Sequence, residues 1–338
     1  MRRCPLTPPP RNASLGISRR SGTRRCARAF AFVITVATLC SCSDNEKHPK
    51  VTNPDPVGGP SWGNTYYPDH QVQPSWSKEG LIAYRDNGIV PKGSGLTVDT
   101  SLVGIWILNP KTGEKHRLLP FGSMPAWSND GTRLAFIQGE QLYVVSADGG
   151  GLHQLTRGGR NYFPAWHPSD SSIVFDSSPG QEAPDLWIVT ADGSELQRFC
   201  PGLSGRGEAD WVPDGSGLTM VAYDGDTPAV YLQDATCNVS RLTGYQGTYV
   251  HGPRYSPDGS QIVFTSDAEE GLPNVWIMEA DGTGVIRLTT GGGEWPDWSP
   301  DGSEIIYTRS SLTTKAAGRG VLWALNLKSM TSTQITSW

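Results

Sequence analysis

A six-residue phrase returns along this chain at a nearly constant interval. Trp-Ser-Pro-Asp-Gly-Ser at 298–303 recurs as Tyr-Ser-Pro-Asp-Gly-Ser at 255–260, Trp-Val-Pro-Asp-Gly-Ser at 211–216 and Trp-Ser-Asn-Asp-Gly-Thr at 127–132. Looser copies begin at Trp166 and Trp76. The anchors Trp76, Trp127, Trp166, Trp211, Tyr255 and Trp298 stand 51, 39, 45, 44 and 43 residues apart. A period in the forties means one small sheet per repeat, and such a sheet buries its apolar faces only by stacking on its neighbours.

The rest of each repeat supplies the strands. After the anchor and its turn comes an alternating apolar run, such as Gln261-Ile-Val-Phe-Thr-Ser266 or Glu304-Ile-Ile-Tyr-Thr-Arg309. A second run follows (Leu142-Tyr-Val-Val145, Leu186-Trp-Ile-Val189, Val275-Trp-Ile-Met278), then a tight Ala-Asp-Gly turn at 147–149, 191–193 and 280–282, then a last run ending in Leu-Thr. Period-two alternation rich in β-branched and aromatic residues marks half-buried strands, and Asp-Gly provides the positive φ of a short hairpin. Each repeat therefore reads as four antiparallel strands, A to D. The expected fold is all-β: a six-bladed β-propeller of four-stranded antiparallel blades. The blades are expected at about 73–122, 123–159, 160–204, 205–246, 247–292 and 293–338, with the anchors packed between them.

These elements, in this order, resemble the WD40-like repeats of the TolB-type propellers over about residues 73–338. The resemblance implies the fold and an envelope-associated, protein-binding role. The same repeat also occurs in propellers attached to peptidases and in some polysaccharide lyases. The α/β domain that precedes the propeller in TolB would have no counterpart in 43–72.

The first 28 residues carry eight Arg and no acid, and precede the 12-residue apolar stretch Ala29–Cys40. That pattern is a signal-peptide core, too short for a spanning helix. Leu39-Cys40-Ser41-Cys42 resembles the bacterial lipobox, which implies cleavage after residue 41 and lipidation of Cys42; Cys40 is the alternative, and an ordinary secreted protein the plainer reading. Ser43 after the cysteine favours the outer membrane. Residues 42–72 read as a Pro/Gly-rich tether, and the lipid would be the only membrane contact. The whole chain has 28 Lys and Arg against 33 Asp and Glu. Without residues 1–41 the balance becomes 20 against 33, which argues against nucleic acid and anionic lipid as partners.

Beyond Cys42, Cys200 and Cys237 remain. In the repeat, Cys200 takes the place of the Thr ending strand D, and Cys237 that of the Gly in the turn before it. Opposite ends of a strand lie roughly 15–20 Å apart, too far for a disulfide, so both are expected as free thiols. The six His show no metal-ligand spacing, and no cofactor motif occurs, so neither metal nor cofactor is expected.

In such blades the A–B and C–D turns share one face, and the B–C and D–A loops share the other. The first face is monotonous; the second varies, with an 18-residue excursion at Arg85–Leu102 and a basic loop at Ser310–Gly320. Binding residues commonly sit on loops held by a rigid scaffold. The candidates on that face are Tyr162, Arg206, Glu208, Tyr249, His251, Glu294 and Trp295. Asp210, Arg254 and Asp297, each just before an anchor, are expected to pair between blades.

Taken together, a non-catalytic propeller binding an envelope protein or peptide is expected. One alternative is a sensor of glycans or small molecules. Another is an enzyme of the lyase or hydrolase type, for which Gly202-Leu-Ser-Gly205 falls short of a nucleophile elbow and only His251 occupies a suitable loop.

Overall fold

The structure, a computed structural model, describes residues 73–336 except 93–94, 181–182, 202–204, 226, 245–248, 270–271 and 311–319. The leader, Cys42 and the tether lie outside the described residues, as does nearly all of the Ser310–Gly320 loop. The described residues form six four-stranded antiparallel sheets, each a meander in chain order, and contain no helix. In blade 6 these strands are Glu294–Trp298, Glu304–Ser310, Gly320–Asn326 and Thr331–Gln334. That blade is complete from one continuous stretch of chain. The blade 1 excursion is not a plain loop: Ile89–Lys92 pairs with Gly95–Val98 as an added hairpin.

The core is divided among the blade junctions. Six apolar clusters occur among the described residues, and each joins two successive blades. Tyr307 and Ile305 of blade 6 meet Val263 and Val275 of blade 5. At the closing junction, Ile306 and Leu322 of blade 6 meet Ile82, Tyr84 and Leu108 of blade 1. Strand alternation explains this, because residues i and i+2 face one neighbouring blade and i+1 faces the other. The anchors Trp127, Trp166, Trp211, Tyr255 and Trp298 are buried. Trp166 donates its indole N–H to the Ala126 carbonyl and Trp298 to the Arg254 carbonyl, each in the preceding blade.

In three blades the residue before the anchor ties the ring polarly. Ser75 Oγ accepts the Trp127 N–H (3.2 Å), Asp210 that of Tyr255 (3.0 Å), and Asp297 that of Trp76 (2.7 Å), the last across the closure. The Asp–Arg expectation thus takes another form. The two carboxylates hold backbone, while the charge of Arg254 lowers the proton affinity of both. Burial outweighs that charge: Asp210 is raised, and Asp297 is pushed up to about 6.

The free-thiol expectation is overturned. Cys200 and Cys237 form a disulfide, with Cα atoms 5.6 Å apart. The argument from strand length placed both residues along one strand, but they belong to successive blades. Blade stagger sets the C–D turn of one blade over the end of strand D of the blade before. The same contact recurs elsewhere: a Cβ on Gly282 would lie 2.4 Å from the Leu242 carbonyl oxygen, and one on Gly193 3.3 Å from Leu155. Blade 4 puts a cysteine where those turns have glycine, with φ of 68°, directly over the end of blade 3.

Candidate functional site

The innermost strands are Ser75–Trp76, Ser123–Trp127, Arg160–Trp166, Arg206–Trp211, Val250–Tyr255 and Glu294–Trp298. In blades 2 to 6 the pairing of this strand shifts register just before the anchor. Met124, Phe163, Glu208, Gly252 and Trp295, each third before its anchor, all have positive φ, between 50° and 56°. An inserted residue of this kind is a β-bulge, and it re-aims the side chain. The next residue is proline in every blade except blade 4, which has Ala209. Proline is tolerated there because the innermost strand has no partner on its inner side to receive an N–H.

The bulge N–H groups need acceptors, and the sequence supplies them unevenly. Trp295 N–H donates to Thr265 Oγ1 on strand B of blade 5 (3.1 Å). Glu208 N–H donates to both oxygens of Asp176, the equivalent residue of blade 3 (2.9 Å each). Blade 4 has Val221 at that position, which accepts nothing. Instead the Glu208 carboxylate reaches the Gly252 N–H (2.7 Å). Blade 2 has Ile137 there, and Phe163 N–H is left to the Met124 sulfur (3.3 Å).

Glu208 also bonds His251 Nδ1 at 2.5 Å; its side chain is 1% exposed and that of His251 12%. The His251 ring lies 4.1 Å from Tyr249 and 5.6 Å from Trp295. Tyr249 donates its hydroxyl to Glu294 (3.2 Å), and Trp295 stacks on Phe163 with centroids 5.4 Å apart. Burial, with the Glu208 charge adding to it, raises the Asp176 carboxyl well above the ordinary range. Burial likewise raises Glu294, against its bond from Tyr249 and the nearby His251.

Five of the seven predicted residues, Glu208, Tyr249, His251, Glu294 and Trp295, thus gather around one end of the axis. Tyr162 stands at the edge of this group, its hydroxyl on Glu140 (3.2 Å) and its ring 6.4 Å from Phe163. Arg206 does not join it. Its buried guanidinium pairs with Asp185 (2.6 Å), bonds Gln233, and caps the Phe199 and Cys200 carbonyls. Sequence reading missed Phe163 and Asp176. Phe163 could have been found as the residue three before an anchor and followed by proline. Asp176 could have been found as the one acid at a strand B position that holds Thr265 and Thr308 in blades 5 and 6.

Below this cluster runs an axial channel of about 430 Å³. Gln73, Met124, Phe163, Gly252 and Trp295 bound it at one end, and the turn residues Pro168, Pro213, Pro257 and Pro300 at the other. Between them the wall is charged on blades 4 to 6, by Asp210, Arg254 and Asp297, and small on blades 2 and 3, with Ala126 and Ala165. No group of three His, Cys, Asp or Glu among the described residues is arranged to hold a metal.

Fold and site together define a closed six-bladed propeller with an axial channel and a polar–aromatic cluster at one mouth. Comparison with known proteins places it more narrowly. The TolB beta propeller domain family matches residues 202–337. An uncharacterized protein of Agrobacterium fabrum is 30% identical over 212 residues, covering 54% of this chain and 70% of that protein. The uncharacterized peptidase YuxL of Bacillus subtilis is 32% identical over 186 residues, covering 51% of this chain but only 26% of the peptidase. Among solved structures, TolB from Acinetobacter baumannii superposes with a TM-score of 0.61 at 22% identity, over 70% of this chain and 60% of that one. The chain belongs to the TolB-type β-propeller family.

Proposed function

We infer that this chain is a non-catalytic binding propeller of the bacterial cell envelope, held to the outer membrane by a lipid on Cys42. Its variable-loop face takes a protein or peptide partner. The observation that carries this reading is the convergence of Glu208, Tyr249, His251, Glu294 and Trp295, from three blades, at one end of the axis. The opposite face repeats one Asp-turn in blade after blade. Aromatic rings set among a few fixed polar groups suit a peptide or protein contact. Export is supported by the Cys200–Cys237 bridge, since disulfides persist in oxidising compartments.

The test is a crosslinking pull-down from native envelope, comparing the parent chain with a Tyr249→Ala/His251→Ala variant of matched thermal stability. A protein recovered with the parent and lost with the variant supports the reading. Equal recovery moves the binding face to the Asp-turn side, and recovery of glycan alone favours a sensor. One observation favours an enzyme instead: an imidazole oriented through Nδ1 by a buried carboxylate is the arrangement of a general base. Turnover of an oligosaccharide or peptide library that disappears in His251→Ala would establish that alternative.

A further inference from the structure

Blades 3 and 6 face one another across a six-bladed ring. The stack of Phe163 on Trp295, inclined by 16°, therefore crosses the axis. Both are bulky residues at positive φ (50° and 55°) directly before a proline. L-residues of this size seldom occupy that region, and a following proline restricts them further. The two bulges are what bring the rings together, because a one-residue shift in a strand turns a side chain to the other face. On one side of the stack lies the cluster of the variable-loop face. On the other lies the axial channel of about 430 Å³.

The two rings are held unequally. Trp295 is 8% exposed, and its N–H sits on the Thr265 hydroxyl. Its indole is buttressed by blade 5, where a Cβ on Gly252 would stand 3.3 Å away and where the His251 ring lies. Glu208 holds that stretch of blade 5 through the Gly252 N–H and His251 Nδ1. Glu208 is itself fixed by Asp176. Phe163 is half-buried, its N–H rests on a thioether, a weak acceptor, and the channel offers its ring space.

We propose that the Phe163–Trp295 pair is a gate between the variable-loop face and the axial channel, with Glu208 as the latch that keeps Trp295 closed. Phe163 is the leaf that yields to a ligand. This deepens the binding reading above and rests on it for the ligand.

The test uses the protein labelled with 5-fluorotryptophan, in which Trp295 is one of 12 fluorine signals and is assigned from Trp295→Phe. Three results are expected. Phe163→Leu moves the Trp295 signal. The native signal shows almost no shift between H2O and D2O. Glu208→Gln and Gly252→Ala each raise that solvent shift toward the value of an exposed indole, with the other signals in place as the check on folding. An unmoved signal in Phe163→Leu refutes the stack, and an unchanged solvent shift in the two latch variants refutes the latch. A partner captured in the pull-down should bind Gly252→Ala more tightly than the parent, because the closed state no longer opposes it. A captured partner that binds the latch-released variant no more tightly than the parent sinks the gate alone. An opening gate with no partner sinks the binding reading alone.

Discussion

The disulfide gives the sharpest test of how the blades are joined. Cys200 and Cys237 are separated by 37 residues. Closing a loop of that length removes denatured-chain entropy worth about 4 kcal/mol at 25 °C. For a domain of this size each kcal/mol moves the melting temperature by about 2–4 °C, so losing the bridge should lower it by roughly 8–16 °C. Two replacements separate cross-link from backbone. Cys200→Ser/Cys237→Ser loses the whole entropic contribution and keeps a side chain at φ 68°. Cys200→Ser/Cys237→Gly restores the glycine that other blades carry in this turn and should recover about 1 kcal/mol of it. The assay is calorimetric melting of the parent with and without reductant, beside both variants, with alkylation and mass analysis to count thiols. Alkylation of both Cys200 and Cys237 in the native, oxidised protein would refute the blade stagger that brings the cysteines together. A melting temperature unmoved by verified reduction would refute the entropic argument while leaving the geometry standing.

Three further outcomes are expected. Acid should act in two directions. Asp297, raised to about 6 by burial, binds its proton more tightly folded than unfolded, so its ionisation costs about 3 kcal/mol of stability, regained as pH falls from about 6 to about 4. The turn carboxylates Asp130, Asp258 and Asp301 are held at about 2, chiefly by hydroxyls of Ser128, Ser256 and Ser299, so their contribution is lost as pH falls from about 4 to about 2. Melting temperature should peak near pH 4, and Asp297→Asn should flatten the limb between pH 4 and 6 while its amide oxygen still accepts the Trp76 N–H. Arg206→Met leaves Asp185 buried without its cation and should cost about 3–5 kcal/mol in denaturant unfolding, with partner binding per folded molecule unchanged. Trp298→Ala empties part of the blade 5–6 junction and should cost about 3–5 kcal/mol, read by the same unfolding.

What could be read from residues alone follows a physical line. Blade number, strand order and the buried anchors were legible because each rests on a local rule that recurs along the chain: alternation, an Asp-Gly turn, an aromatic at a fixed place. The disulfide was not, because its two positions become neighbours only through the stagger of successive blades, which no single repeat contains. Arg206 was misplaced for a related reason. A cation in a variable loop looks solvated until its partner Asp185 is known to come from the neighbouring blade. Phe163 was hidden by the bulge, since strict alternation gives no sign that the third residue before an anchor is turned onto the axis.

The repeat is informative about function mainly where it is broken. Thr265, at its position on strand B, gives the next bulge N–H a neutral acceptor, and an array built that way throughout would be symmetric and inert at its axis. Blade 3 substitutes Asp176, which accepts with both oxygens but must be buried to do so and holds its proton more firmly for it. Blade 4 substitutes Val221, which forces Glu208 inward to serve Gly252 and, in the same act, to orient His251. Blade 5 then needs glycine, because the indole of Trp295 occupies the space a side chain would take. Each departure makes the next one necessary, and together they carry charge and aromatic surface to one mouth of a ring whose other mouth stays regular. Restoring regularity in one step, by Asp176→Thr, should therefore act at a distance: the Glu208 N–H keeps an acceptor, but the buried carboxyl behind Glu208 is gone. The expected reading is a displaced His251 ring resonance by NMR at one fixed pH, with little change in melting temperature. An unmoved resonance would mean that the mouth is set by blade 5 alone, and that the chain of substitutions is not a chain at all.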